Sequence, residues 1–191
     1  MNKPLYVFVG KSASGKTTLA EILESEYELT TLQSYTTRPK RHQNETGHTF
    51  VTNQEFDNLK DIVAYTEYNG HRYCCTKQQL DDVDIYVLDV PGVKTLLENY
   101  QSKRSIIILY FDATVPTRID RMVSRGSSDT EIVSRLYNDE QSDWSIELLK
   151  MSRQYKTNKL QNVEAYIIDA NQNIEDVLFN IKFYIKCTNK E

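Results

Sequence analysis

Eight residues near the amino terminus carry the sharpest chemistry in this 191-residue chain. Gly10-Lys11-Ser12-Ala13-Ser14-Gly15-Lys16-Thr17 has the spacing G-x-x-x-x-G-K-[ST]. Glycines let the backbone curl so that successive amides face one anion, and a helix that follows directs its positive end at the same anion. In this reading Gly10, Ser12, Ala13, Ser14, Gly15 and Thr18 belong to a cradle for the phosphates of a nucleoside triphosphate. Lys16 reaches the β- and γ-phosphates, and the Thr17 hydroxyl holds Mg²⁺. The loop alone names no reaction, since unrelated chemistries share it.

Two further groups of charge stand out. Ser34-Tyr35-Thr36-Thr37-Arg38-Pro39-Lys40-Arg41 places two arginines three apart around a proline, a rigid turn from which two guanidinium forks can face one anion. Arg118, Arg121 and Arg125 lie at i, i+3 and i+7, one stripe of a helix. By spacing alone each group reads more readily as a solvated basic surface. Three cysteines, with Cys74 and Cys75 adjacent, form neither a disulfide framework nor a zinc pattern, so free thiols in a reducing cytosol are expected.

These residues need elements to hold them. Leu5–Val9 is a short apolar, β-branched run ending at Gly10, and residues 17–26 have Leu19, Ile22 and Leu23 on one helical face. Strand-like runs recur at Ile85–Leu88, 105–111 and 165–168, followed by helical stretches at 93–100, 116–125 and 174–186. The alternation predicts an α/β fold, a parallel sheet with helices on both faces. Two regions break it. Residues 33–80 are polar and turn-rich with short strand-like pieces at 48–52 and 62–65. Residues 118–141 read as helix, loop, helix around Gly126-Ser127-Ser128-Asp129, with Ser128 or Asp129 as the cap. The predicted organisation is a core of 1–33, 81–117 and 142–191, a small β-containing insert at 34–80 and a helical lid at 118–141.

Composition narrows the partners. A net charge of −4 and a pI near 5.5 argue against general nucleic-acid binding. The longest strongly apolar run, 106–111, is far short of a membrane span, and the first ten residues do not form a signal peptide. A cytoplasmic protein is expected, as monomer or homodimer.

From the phosphate loop, through SYTTRPKR, GHTFV and LDVPGV, to RMVSRG, the chain resembles the guanylate kinase family in order along nearly its whole length. The resemblance implies a P-loop core, a nucleoside-monophosphate-binding insert and an arginine-bearing lid, and transfer of a phosphoryl group from ATP with Mg²⁺. It puts Ser34, Arg38 and Arg41 on the acceptor nucleotide, with both arginines on its phosphate. Tyr73 matches a tyrosine on that phosphate, and Asp89 an acidic residue near metal and acceptor. Arg121 and Arg125 fall on positions that contact the ATP tail, and Arg135 on one that bridges donor and acceptor phosphates. Near the last strand, Asp169 or Asn171 matches the region that contacts adenine. A plain strand-to-helix turn with an Asn/Asp cap is an equal reading there.

The departures concern the base. His48 or Thr49 stands nearest to a family tyrosine, and Cys75 replaces a serine. The family's guanine-reading glutamate, nine residues before the equivalent of Tyr73, is Ala64 here. Glu67 is three residues out of register, and on an alternating strand an odd shift faces the other way. Asp-x-Asp-x-Gln-Gly is shortened to Asp89-Val90-Pro91-Gly92. The expected activity is phosphoryl transfer to GMP or dGMP. The alternatives are another (deoxy)nucleoside monophosphate or phosphate acceptor and, in a different class, a non-catalytic protein-interaction module.

Overall fold

The structure, a computed structural model, describes residues 3–41, 43–139, 144–157 and 162–188. The chain opens with β1 (Leu5–Val9) and α1 (Lys16–Tyr27). It continues through β2 (Ser34–Thr36), β3 (His48–Phe50), α2 (Asn53–Asp57), β4 (Ile62–Tyr68), β5 (His71–Thr76) and α3 (Lys77–Asp81). Then come β6 (Ile85–Leu88), α4 (Val90–Asn99), β7 (Ile106–Asp112), α5 (Val115–Ser124), α6 (Asp129–Asp139), α7 (Trp144–Thr157), β8 (Val163–Asp169) and α8 (Ile174–Thr188).

The first sheet has the order β6-β1-β7-β8 and every pair in it is parallel. All five residues of β1 are buried. Leu5, Val7 and Val9 enter one core cluster, while Tyr6 and Phe8 enter another. That split is the pleat's alternation with both faces covered. Ile106 and Ile108 on β7 have no accessible surface. Each contributes about 1.5–3 kcal/mol by burial. The predicted α/β class is what the chain adopts.

The second sheet, order β3-β2-β5-β4, is mixed: β2 runs parallel to β3 and antiparallel to β5, and β4 pairs antiparallel with β5. Its Val63, Ala64 and Cys75 share a core cluster with Leu5, Val7 and Val9. This sheet is therefore fastened to the first by common apolar packing. Among the described residues no helix is long and apolar enough to cross a membrane.

Helix ends differ from the sequence reading for identifiable reasons. Asp89 accepts from the Gly92 amide at 2.8 Å and caps α4, which starts at Val90, not at residue 93. Ser128 accepts from the Glu131 amide at 3.4 Å while its own amide donates to Glu131 Oε2 at 3.0 Å. That reciprocal pair makes Ser128 the α6 cap. The helix α7 has no counterpart in the sequence reading. It packs against α4 and β8 through Leu148 and its neighbours.

Candidate functional site

The loop between β1 and α1 has the shape the spacing predicts. A Cβ at Gly10 would lie 2.7 Å from the Phe111 carbonyl oxygen and 2.7 Å from Ser14 Oγ, so the loop passes β7 only with glycine there. Gly15 has φ 98°, a left-handed conformation open to glycine. The loop's backbone carbonyls need partners, and Lys11 O accepts from the Ser14 amide at 3.2 Å. Lys16 Nζ donates to Gly10 O at 2.6 Å, Lys11 O at 3.0 Å and Ser14 Oγ at 3.3 Å. Arg121 donates to Ala13 O at 3.3 Å, Ser14 O at 3.2 Å and Ala170 O at 2.8 Å. Burial lowers the Lys16 ammonium to about 8, with the carboxylates of Asp139 and Asp89 opposing the shift and Arg118 and Arg125 adding to it.

Over this loop opens a cavity of about 390 Å³, lined among others by Ala13, Ser14, Gly15, Lys16, Thr17, Thr18, Arg121 and Arg125. Arg125 carries a lowered guanidinium pKa from burial and from the like charges of Arg135 and Arg41. Arg41 is lowered in the same way, by burial, Arg38 and Arg135. Four cations, Arg38 and Arg41 from one segment and Arg125 and Arg135 from another, therefore act on one another.

Arg118 corrects the stripe reading. It has no accessible surface and is not part of a solvated face. Its Nε donates to Ser12 O at 2.9 Å and its NH2 to Asp139 Oδ2 at 2.6 Å. Ser12 N donates to the same Asp139 oxygen at 2.7 Å.

A second cavity, of about 210 Å³, lies between the loop and the second sheet. Lys16 and Ser12 form its loop side, and Ser34, His48, Thr66, Tyr68, Tyr73 and Asp89 its far side. Ser34 Oγ and His48 Nδ1 are hydrogen-bonded at 2.9 Å, and the His48 ring meets Tyr73 edge-on with centroids 5.6 Å apart. Burial and the Arg38 charge keep His48 below its ordinary pKa. Thr66 donates to Asp89 Oδ2 at 2.7 Å, and burial raises the Asp89 carboxyl. A third cavity, about 330 Å³, joins Thr17 and Ser34 to Arg38, Arg41 and Glu45. Arg38 Nε and the Tyr68 hydroxyl are buried with no hydrogen-bond partner among the described residues.

Two predicted site residues stand elsewhere. Cys75 does not line the second cavity: it has no accessible surface, and burial pushes its thiol up to about 12. It lies behind Tyr86, opposite the equally buried Ala64 across the β4–β5 ladder. Asp169 is spent on its turn, accepting from Asn171 N at 3.0 Å, Asn171 Nδ2 at 2.9 Å and Gln172 Nε2 at 3.2 Å. Asn171 Oδ1 in turn accepts from Thr114 N at 2.8 Å. Both act as turn caps, and Ala170 and Gln172 line the loop cavity instead. Glu67 is exposed, receives the Tyr65 hydroxyl and lies opposite Arg72.

Besides Ala170 and Gln172, the cavity-lining Thr66, Tyr68, Glu45 and Asp139 escaped the sequence reading. Alternation from Ala64 points to Thr66 and Tyr68, so those two were within reach of it. Glu45 and Asp139 carry no local pattern.

Among the described residues there is no group of three or more His, Cys, Asp or Glu fit to hold a metal. Thr17 is exposed at the start of α1 and lines the first and third cavities, and Asp89 lines the second.

No protein-family model matches the chain. It is similar to the guanylate kinase of Nitrosomonas europaea, 25% identical over 143 residues that cover 69% of this chain and 70% of that one. In structure it is similar to the guanylate kinase of Anaplasma phagocytophilum, with a TM-score of 0.60 at 18% identity, over 98% of this chain and 87% of the other. The chain has the guanylate kinase fold, and the resemblance carried by its motifs is borne out.

Proposed function

We propose that this chain, built on the guanylate kinase fold and bearing that family's motifs, moves the γ-phosphate of ATP to a nucleoside monophosphate. The observation that carries the reading is the position of Lys16, which lines both the loop cavity and the cavity under the second sheet. A donor phosphate in the first and an acceptor phosphate in the second would share that cation.

A monophosphate already carries an ionised oxygen at neutral pH, its second pKa being about 6. The nucleophile needs no base. The difficulty is bringing two polyanions together, so catalysis is positioning and charge stabilisation. In this reading the amides of Ala13 and of residues 15–18 hold the donor, with Arg121 and Arg125 over them. Arg38, Arg41 and Tyr73 hold the acceptor phosphate, and the unpartnered Arg38 Nε supplies a free donor for it. Arg135, whose charge acts on both Arg41 and Arg125, would bridge the two. Thr17 and Asp89 would hold Mg²⁺, which supplies charge neutralisation when bound with the triphosphate.

GMP or dGMP is the first acceptor to test, from the family likeness. A different base is favoured by one observation: Ala64 and Cys75 are fully buried and apolar. From β4 the cavity wall is therefore the neutral pair Thr66 and Tyr68. A coupled ADP-release assay over GMP, dGMP, AMP, CMP, UMP and dTMP separates these readings. Turnover of GMP or dGMP supports the first. Turnover of another monophosphate alone supports the second.

A further inference from the structure

We propose that Asp139, neutralised by Arg118, is a positioning residue that fixes the Ser12 peptide and so holds the phosphate loop in its receptive curve. The inference rests on the reading of that loop as a triphosphate site.

The geometry is a two-handed grip on one peptide unit's neighbours. Asp139 Oδ2 takes the Ser12 N–H at 2.7 Å, and Arg118 Nε gives to the Ser12 carbonyl at 2.9 Å. The two side chains are joined at 2.6 Å and are 2% and 1% exposed. Ser12 therefore has both backbone groups occupied by side chains from outside the loop. A carboxylate beside a phosphate site would repel the ligand if unpaired, and Arg118 removes that cost. The Ser12 amide is thus taken by Asp139, and the Ser14 amide donates to Lys11 O at 3.2 Å. The grip also spans the lid. Arg118 stands on α5, and Asp139 is the last residue of α6. Beside it, Asn138 donates to Asn69 Oδ1 at 2.7 Å in the turn between β4 and β5. One helix end thus meets both the donor loop and the hairpin that carries Thr66, Tyr68 and Tyr73.

Removing one partner of a buried ion pair leaves an unmatched charge, whereas replacing both with apolar residues of similar volume is tolerated. Asp139→Leu and the double variant Arg118→Met/Asp139→Leu are therefore compared with wild type, using MgATP and the best acceptor from the panel. If the single variant does not fold, the double variant decides. The expected result is a rise in KM for ATP of about tenfold, the scale of losing a charge-assisted hydrogen bond, with KM for the acceptor unchanged. A merely structural role lowers the active fraction, and so kcat, and moves neither KM. A folded double variant with wild-type KM for ATP overturns the proposal. Wild type that binds no triphosphate by calorimetry overturns the functional reading and this inference with it.

Discussion

Arg38 and Glu45 form a two-point ion pair, NH2 to Oε1 at 2.8 Å and NH1 to Oε2 at 3.2 Å, and the same carboxylate accepts from the Arg41 amide at 2.6 Å. The carboxylate orders both guanidinium-bearing residues of the loop proposed to hold the acceptor. Side chains of the pair are each only 10% exposed. The Arg38 hydrogen bonds, with that of the Arg41 amide, hold Glu45 down at about 2, well below the ordinary carboxylate range.

That shift sets a pH dependence. A depressed carboxylate contributes stability that is fully present above its unfolded value and is lost as pH falls through the folded one. Glu45 therefore stabilises the fold above about pH 4.5 and loses that contribution between there and about pH 2. Thermal melts followed by circular dichroism are expected to fall more steeply over that acid range in wild type than in Glu45→Gln. Parallel curves for the two proteins would remove Glu45 from the acid response.

Arg38→Ala is expected to raise KM for the acceptor by roughly 10- to 100-fold, the scale of hydrogen bonds to a charged group. KM for ATP should stay near wild type. Arg121→Ala should do the reverse, because Arg121 touches Ala13 and Ser14 and not the acceptor loop. Steady-state kinetics with each substrate varied in turn checks both.

Lys16→Ala is expected to remove most turnover, by a factor of about 10² or more. In wild type the ammonium is cationic below its value of about 8. So kcat/KM for ATP should be flat below that pH and decline above it, since this quantity reports free-enzyme groups. A profile that rises through pH 8 would contradict the role given to Lys16.

The thiols offer a test of burial. Cys74 and Cys75 are buried with thiols pushed up to about 12, and Cys187 is exposed. Thiolate is the reactive form. Maleimide labelling of the folded protein near neutral pH should modify Cys187 alone, with all three sites reacting after denaturation. Peptide mapping reads the result.

How much of this was legible follows from how local each signal is. The phosphate loop is eight consecutive residues behind a strand, so spacing and context agree. The register of β4 is local too: Ala64, Thr66 and Tyr68 share a parity, and Glu67 faces away as alternation requires. Depth along the strand is not local. Cys75 was expected at the acceptor, and it lies under Tyr86 because neighbouring elements pack over it. The turn reading of Asp169 rests on the side chain of Asn171, two residues on, which donates to its carboxylate. Asp139 was invisible because its partners are Arg118 on another helix and Ser12 at the far end of the chain. The helix α7 escaped because its polar residues hide a narrow apolar face around Leu148.

The central claim is that one phosphate moves between two nucleotides that meet at Lys16. The most direct measurement mixes wild-type protein, Mg²⁺, ATP labelled at the γ-phosphate and the six monophosphates one at a time, and separates the products. Label is expected in a nucleoside diphosphate for at least one acceptor, and in none with Lys16→Ala. Label that stays in ATP, or appears only as inorganic phosphate, with every acceptor would contradict it.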